Sequence, residues 1–393
     1  MGAVMIQQCR ALSLVLGALL LALTVGAPST RAQEPETRAW EALGPTDQVV
    51  WSLSTPTSGA LFAATEQELF RSDDGGRSWA TVQRPPETKP VAVSPVNHDL
   101  LYAGGPDGVH RSDDGGATWQ RISDQAGGWD RIEVSPADPN VLYGDASAES
   151  VSSGVTIIQR ERRVSHDGGV TWEVTRTGEE RRVSTSYPCG HAVRVLQAHA
   201  VNPARLMTIE GCVVRGDPVA WMSYDEGRTS TLFPEVNPLE WSSNGLIGGR
   251  GADPSRWYVA LFRANILYTR VFHSKLLRTD DDGASWTTVF EEDSGEPYSK
   301  ERKAVDFVAR VAYDPRRPDD VFAVFERYEP NTDRYKETDP VSYTVRASHD
   351  AGATWSELGA RDLPKVHALA VGVDSRYLYA ATRHGVYRLA LTE

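Results

Sequence analysis

Six copies of one short pattern constrain the fold of this chain more than any other feature of its sequence. The first copy is SDDGGRSW, Ser72 to Trp79, and the shared pattern is Ser/Thr-x-Asp-x-Gly-x-Ser/Thr-Trp. The fourth copy begins at Ser223 and has Ser230 in place of the tryptophan. The pattern positions are Ser72, Asp74, Gly76, Trp79, Ser112, Asp114, Gly116, Trp119, Ser165, Asp167, Gly169, Trp172, Asp225, Asp281, Gly283, Trp286, Ser348, Asp350, Gly352 and Trp355. A pattern repeated along the whole chain predicts a repeat architecture rather than unrelated domains.

Each copy lies inside a longer unit that contains four short segments with the composition of β-strands. Examples of the second segment are LLYAGG from Leu100 and WYVALF from Trp257. Successive copies begin at residues 72, 112, 165, 223, 279 and 348, so the interval grows from 40 to 69 residues through insertions. Four short strands with turns between them, repeated at about 40 to 50 residues, are typical of propeller blades.

The two ends of the chain together supply one more blade. The tail from Val366 has three strand-like segments without the pattern, and Trp40–Gly44 (WEALG) matches Trp355–Gly359 (WSELG), which follows a copy of the pattern. The sequence therefore predicts an all-β fold, a single seven-bladed β-propeller of four-stranded antiparallel blades, in which the N-terminal strand joins the C-terminal blade and closes the ring. Six blades are the alternative.

The residue types in the pattern suit a tight turn. Asp carboxylates and Ser/Thr hydroxyls accept hydrogen bonds from nearby backbone N–H groups, and glycine adopts the positive φ that such turns require. The tryptophan can bury its ring against the neighbouring sheet. A calcium loop is the alternative, but no copy has the distant bidentate Glu of such loops. We expect a structural role, with no metal and no cofactor.

The N-terminus resembles an export signal. Arg10 precedes an apolar run from Ala11 to Val25, and Thr30-Arg31-Ala32 fits a signal-peptidase site. We expect a signal peptide at residues 1–32, a disordered lead-in at 33–38 and the propeller at 39–393, in a secreted or periplasmic protein without membrane insertion after cleavage. An uncleaved anchor is the alternative, although a bilayer span needs about 20 apolar residues.

Charge and cysteine content narrow the possible partners. The formal net charge of −12 disfavours nucleic acid and anionic lipid, which require clustered Lys and Arg. We expect a monomer with a protein or glycan partner. Cys189 and Cys212 are predicted to form a disulfide because exported thiols tend to pair. A zinc site with His191 and His199 is the alternative.

The repeated pattern resembles the Asp-box, or BNR, repeat over essentially all of residues 39–393. Families with this repeat include sialidases, xyloglucan-cutting glucanases, the sortilin receptor domain and photosystem II assembly factors. The resemblance implies a β-propeller whose ligand site lies on the face opposite the Asp-box turns. It assigns no subfamily and no activity, because one fold carries many functions. The basic binding patch of the photosystem assembly factors has no counterpart in this acidic chain.

Insertions point to a binding wall on that opposite face. Loops between second and third strands are predicted to expand at residues 145–160, 263–275 and 326–342, all in blades three to six. Neutral variation of surface loops is the alternative. The candidate ligand-face residues are Tyr187, His191, Arg194, Trp241, Asn244, Arg263, Arg327, Tyr328 and His367, whose aromatic, guanidinium and amide groups suit sugars or peptides.

The first functional hypothesis is an exported, non-catalytic propeller that binds a protein or glycan partner. The alternative is a glycoside hydrolase or lyase, sialidase-like or glucanase-like, with Asp130 and Asp306 as an acid pair at the channel mouth. A sialidase is disfavoured because the Phe/Tyr-Arg-Ile-Pro segment of that family is missing. Arg71, Arg111, Arg278 and Arg388 resemble a carboxylate-binding set, but each occupies the same place in its repeat, so repetition explains them.

Overall fold

The computed structural model describes residues 39–57, 59–88, 91–125, 127–153, 155–183, 189–212, 219–232, 242–248, 253–264, 272–295, 303–329, 340–359 and 363–391. Within these ranges the backbone alone is described for 180–183, 189–196, 209–212, 219–220, 232, 242–248, 262–264 and 272. Contacts divide the chain into Met1–Glu36, which lies outside the described residues, and Thr37–Glu393, which contains all of the strands. The predicted signal peptide and lead-in lie outside the described residues.

The described residues form seven four-stranded antiparallel blades and no helix, which confirms the predicted seven-bladed β-propeller. Blade 1 contains β2 (Ser52–Ser54), β3 (Leu61–Ala64), β4 (Leu69–Ser72) and β5 (Ala80–Val82). Blade 2 contains β6 (Val91–Val93), β7 (Leu101–Gly105), β8 (Gly108–Ser112) and β9 (Gln120–Ser123). Blade 3 contains β10 (Gly128–Val134), β11 (Leu142–Ser152), β12 (Val155–Ser165) and β13 (Glu173–Val183).

The second half of the ring repeats this order. Blade 4 contains β14 (Cys189–Ala198), β15 (Leu206–Cys212), β16 (Val219–Ser223) and β17 (Thr231–Leu232). Blade 5 contains β18 (Ser242–Gly248), β19 (Trp257–Ala264), β20 (Phe272–Thr279) and β21 (Thr287–Asp293). Blade 6 contains β22 (Val305–Tyr313), β23 (Val321–Tyr328), β24 (Ser342–Ser348) and β25 (Ser356–Glu357). Blade 7 contains β26 (Val366–Val371), β27 (Tyr377–Thr382), β28 (Gly385–Ala390) and β1 (Glu41–Gly44).

The N-terminal strand closes the ring. In blade 7 the strand order is β1-β28-β27-β26, and the β1–β28 register pairs Glu41 with Arg388. The Arg388 side chain also donates to the Glu41 carboxylate at 2.7 Å. Strand β1 thus takes the outer position that the fourth strand has in the other blades, as the sequence match between Trp40–Gly44 and Trp355–Gly359 predicts.

Blades 3 and 4 share one continuous ladder. Strand β13 pairs with β14 through Glu180–Gly190 and Arg181–Cys189, so the two blades form an eight-stranded sheet. The sequence did not indicate this junction, since blades are normally separate sheets. The expected loop at 145–160 is also wrong in detail, because β11 and β12 pair continuously from Leu142–Ser165 to Ser152–Val155 and form an extended hairpin.

The core lies between blades and follows the period of two of a β-strand. In β23, Phe322 and Val324 pack toward blade 7, in a cluster with Leu378. The alternate residues of β23 pack toward blade 5, and Phe325 there lies in a cluster with Tyr258. Second strands are therefore apolar on both faces, and each one stabilises two junctions.

All six copies of the sequence pattern form the same turn between the third and fourth strands of blades 1 to 6. In each turn the first Ser or Thr hydroxyl accepts from the glycine N–H at 2.7–2.9 Å. The Asp carboxylate accepts from the N–H of the second Ser or Thr at 2.8–2.9 Å. The turn glycines have φ of 84–92°, the region that favours glycine. The fourth copy keeps these bonds although it lacks the tryptophan.

The four repeated arginines are structural. Arg278 and Arg388 lie opposite Tyr258 and Tyr379 on neighbouring strands. Each arginine donates to a carbonyl in the repeat turn of the next blade, Arg278 to Ala351 at 2.8 Å and Arg388 to Gly75 at 3.2 Å. We call this arrangement the Tyr–Arg bridge. Arg71 and Arg111 occupy the same register opposite Phe62 and Tyr102.

The junction of blades 4 and 5 uses a different set of side chains. Met222 stands where the bridge would have its arginine, and the adjoining turn of blade 5 has Asp282 at a positive φ of 57°. The Asp282 carboxylate contacts His199 at 3.1 Å and also pairs with Arg205. Burial lowers the pKa of the His199 imidazole. This cluster therefore joins two blades.

Candidate binding face

The face opposite the repeat turns, here called the loop face, is built by two kinds of connection. Strands alternate in direction, so the loops between second and third strands and the links from one blade to the next emerge on the side opposite the turns. First strands also begin on this side, and neighbouring first strands are in contact from β6 in order through β26 and on to β2. The starts of the first strands form the channel mouth, where ligands of propellers have access to several blades.

Strand lengths make the loop face asymmetric. In blade 1 the second and third strands have 4 residues each, whereas β11 and β12 of blade 3 have 11. At about 3.3 Å per residue, the blade 3 strands are longer by roughly 20 Å. We call residues 148–153 and 155–160, the projecting part of this hairpin, the blade 3 arm. The predicted asymmetry between blades 1–2 and the later blades is thus present, built by strands.

An aromatic pair occupies the channel mouth where blades 7 and 1 meet. The rings of Trp51 and His367 lie 4.3 Å apart, and Trp51 remains 53% exposed. Arg310 from blade 6 donates to the His367 carbonyl at 2.6 Å and helps to fix that backbone. Burial, with the positive charges of Lys365 and Arg310, lowers the pKa of the His367 imidazole. Near neutral pH the pair therefore presents an uncharged aromatic surface.

Asp306 is buried between two arginines. Its carboxylate pairs with Arg327 at 3.2 Å and with Arg346, while its backbone N–H donates to Glu292 at 2.8 Å. The Arg346 guanidinium also lies 4.2 Å from the centre of the Phe325 ring. Each of the two carboxylate oxygens of Asp306 therefore already has a guanidinium partner. A carboxylate engaged in this way is poorly placed to contact a substrate.

Asp130 lies in a different environment and in a different blade. It begins blade 3 and lies 3.5 Å from Arg160 of the blade 3 arm, with its side chain exposed. Asp306 begins blade 6, three blades further round the ring. A hydrolase needs two carboxyl groups within about 5–10 Å, on either side of one bond. The topology places these two aspartates at separate blades and gives no support to a shared catalytic site.

Tyr328 and Glu326 form a second polar group near the mouth of blade 6. Tyr328 donates to the Glu326 carboxylate at 3.0 Å, and its ring contacts Phe307 edge-on at 4.9 Å. Glu326 also attracts the buried Arg310 guanidinium, although burial is the larger effect and lowers the pKa of Arg310. Tyr328 was predicted as a ligand-face residue. Glu326 begins the same predicted insertion but was not singled out, and Arg310 on β22 lies outside every predicted insertion.

Several predicted residues cannot be placed at the level of side chains. Tyr187 and Trp241 lie outside the described residues. For His191, Arg194, Asn244 and Arg263 the backbone positions are on β14, β18 and β19. The register pairs His191 with Cys212, and Cys189 lies two residues before His191 on the same strand. The predicted disulfide would therefore link two neighbouring strands, and it stays a prediction.

Among the described residues no three His, Cys, Asp or Glu side chains converge in a way that could hold a metal ion. The part of the chain that the structure describes contains no helix with the length and apolar character needed to cross a bilayer.

Comparison with known proteins gives structural similarity only. No family model matches the chain, and no curated protein matches it. The GH74 xyloglucanase from Xanthomonas campestris is similar with a TM-score of 0.60 and 17% identity, covering 89% of this chain and 53% of that chain. YCF48 bound to D1 peptide has a TM-score of 0.54 and 13% identity, covering 91% and 97%. Oligogalacturonate lyase in complex with manganese has a TM-score of 0.54 and 10% identity, covering 90% and 93%.

These identities show a shared fold and no more. The chain spans about half the length of the xyloglucanase and nearly the whole length of YCF48. The neighbours include proteins that act on glycans and a protein bound to a peptide. The chain is therefore a seven-bladed β-propeller of the kind that the Asp-box resemblance implies, with no specific subfamily assigned.

Proposed function

We propose that this protein is an exported, non-catalytic propeller that binds a protein or glycan partner on its loop face. The observation that carries the proposal is the half-exposed Trp51 ring supported by His367 at the channel mouth. A tryptophan held rigid by a second ring loses little conformational entropy on binding, which is why such residues are frequent anchors of interfaces.

The blade 3 arm favours a protein over a glycan. Strand β10 pairs with β11 only as far as Gly128–Ser147, so residues 148–152 pair with β12 alone among the described strands. These residues are exposed, and Val151 has 69% of its surface accessible. An extended peptide can add to such an edge through main-chain hydrogen bonds. A glycan has no regular series of amides with which to continue the ladder.

The structural neighbours support this choice without deciding it. YCF48 is bound to a peptide and has nearly the same length as this chain. The xyloglucanase and the lyase make an enzyme the second candidate. The arginine pairs of Asp306 argue against the acid pair that a hydrolase would need here.

Binding can be tested by affinity capture from the medium or periplasm of the source cells. Trp51→Ala should abolish capture of the partner, and hydrogen exchange of residues 148–152 should slow in the complex. Tyr224→Ala is the matched control, because Tyr224 is a similarly exposed aromatic (48%) on the repeat-turn face. Equal capture by wild type and Trp51→Ala, with no change in exchange of the arm, would refute the proposal.

Catalysis needs a separate assay. Purified protein is incubated with xyloglucan and with polygalacturonate, and reducing ends and unsaturated products are measured. We expect no turnover. Turnover that is lost in Asp130→Asn or Asp306→Asn would replace the binding proposal with a glycan-cleaving enzyme.

A further inference from the structure

A cavity of about 320 Å³ opens on the repeat-turn face, on the side away from the loop face and its partner. It lies where blades 7 and 1 meet, between the loops that join first to second strands in both blades and the repeat turn of blade 1. Its lining includes Pro56, Gly59, Arg77, Arg376, Tyr377 and Arg388. The volume is at the lower end of the range for small-molecule sites.

The junction of blades 5 and 6 shows how the same place is filled elsewhere. Both junctions have a Tyr–Arg bridge. Arg256 lies two residues before Tyr258, the bridge tyrosine of blade 5. Tyr377 lies two residues before Tyr379, the bridge tyrosine of blade 7, so the two positions are equivalent. Arg256 enters the junction and donates to the Pro318 carbonyl at 2.8 Å and to Asp319 at 2.7 Å. Only about 10 Å³ remains empty there.

Two substitutions within the repeat open the cavity at the junction of blades 7 and 1. Tyr377 stands in the place of Arg256, and its ring lies 4.7 Å from the Arg388 guanidinium, beside the space instead of within it. Gly59 stands in the place of Asp319, since each lies two residues before its second strand, and it has no side chain to occupy the junction. The cavity is therefore a specific departure from the repeat.

Three of the five charged side chains that line the cavity are arginines, and two are aspartates. Arg376 is 72% exposed and forms an ion pair at 3.7 Å with Asp374, which also lines the cavity. Arg77 donates to the Asp74 carbonyl at 3.3 Å, which uses one of the five N–H donors of a guanidinium. The Asp74 carboxylate is itself occupied by the Ser78 amide and hydroxyl at 2.9 and 2.7 Å. Two forked donors thus border a space with aromatic and proline walls.

We propose that this cavity is a binding site for a small organic carboxylate with a flat ring. Arg77 and Arg376 would hold the carboxylate, because a guanidinium matches the geometry of its two oxygens. Tyr377 and Pro56 provide apolar surface for the ring. Arg388 belongs to the Tyr–Arg bridge and to the Glu41 pair, so it forms the fixed base of the site.

The proposal can be tested by titration of the full chain with hippurate and with benzoate, followed by calorimetry and ligand-observed NMR. Hippuramide and benzamide are the matched uncharged probes. We expect saturable binding of at least one carboxylate and none of its uncharged match. Arg77→Gln with Arg376→Gln should weaken binding at least about ten-fold, and Tyr377→Arg, which restores the residue of the filled junction, should abolish it.

Arg228→Gln is the control for the arginine variants. Arg228 has the same place in the turn of blade 4 and donates to the Asp225 carbonyl at the same 3.3 Å, yet it lies away from the cavity. It should bind as wild type does. The thermal unfolding of every variant is compared, so that loss of binding is separated from loss of fold. Absence of saturable binding by both carboxylates, or binding unchanged in both the double variant and Tyr377→Arg, would overturn the proposal.

Discussion

The hydroxyl that opens each repeat turn should be worth a measurable share of stability, and Ser112 in blade 2 is the best place to test it. Ser112 is 1% exposed. Its hydroxyl accepts from the buried Gly116 N–H at 2.8 Å and donates to Asp114 at 2.7 Å. Ser112→Ala removes the oxygen and leaves the Gly116 N–H inside the turn without an acceptor.

The expected loss of stability depends on which polar group is left buried without a partner. A buried N–H left without an acceptor costs about 1–3 kcal/mol. Asp114 lies at the surface and keeps the Thr118 amide at 2.8 Å and the Thr118 hydroxyl at 2.5 Å, so its loss of one donor is covered by water. We therefore expect Ser112→Ala to lower the free energy of unfolding by about 2 kcal/mol, almost all of it from the amide.

The assay is urea unfolding, read by the midpoint and the slope of the transition. Ser112→Thr keeps the oxygen and should lose less than half as much, since Thr279 makes the same bonds in blade 5 at 2.9 and 2.7 Å. Ser150→Ala, on the exposed arm, is the control for the effect of removing a serine hydroxyl at an exposed position. A Ser112→Ala variant within about 0.5 kcal/mol of wild type, a change typical of ordinary surface positions, would refute the assigned role of the hydroxyl.

Three further predictions follow from the same structure. A variant that begins at Pro45 lacks β1 and the Glu41–Arg388 pair, so it should melt well below the full chain, and equal melting would contradict ring closure. Hydrogen bonds from Thr118 lower the pKa of Asp114 from 3.8 to about 2. The charged carboxylate therefore stabilises the folded protein fully above pH 3.8, and this stabilisation is lost as the pH falls through 2. Asp114→Asn should therefore flatten the acid side of a plot of urea midpoint against pH. Cys189 and Cys212 should resist alkylation until a reductant breaks the predicted disulfide. The intact mass after alkylation with and without reductant tests this prediction.

The fold could be read from the sequence because the repeated turn is a local structure. Ser72, Asp74 and Gly76 lie within five residues, and their hydrogen bonds depend on almost nothing distant. The closing strand was also predictable, since Trp40–Gly44 repeats a segment that follows the turn elsewhere. Local rules copied several times give a consistent signal for one architecture.

The candidate binding face was less predictable because its contacts join distant parts of the chain. Asp306 pairs with Arg346, 40 residues away, and Trp51 stacks on His367 from the opposite end of the sequence. Neither contact follows a fixed spacing. Insertions correctly indicated the later blades, yet the insertion at 145–160 forms strands, because its alternating residues can pair across a tight turn.

Departures from the repeat become informative once the register is known. Arg256 and Tyr377 look unrelated in the sequence, but the Tyr–Arg bridge places them at equivalent positions, one filling its junction and the other leaving a cavity. Asp282 likewise replaces a turn glycine and joins blades 4 and 5 where the bridging arginine is missing. The contacts of Asp282 with His199 and Arg205 compensate for the missing arginine. The cavity beside Tyr377 has no such compensation among the described residues. An uncompensated gap costs packing energy, so it is the departure that a ligand would best explain.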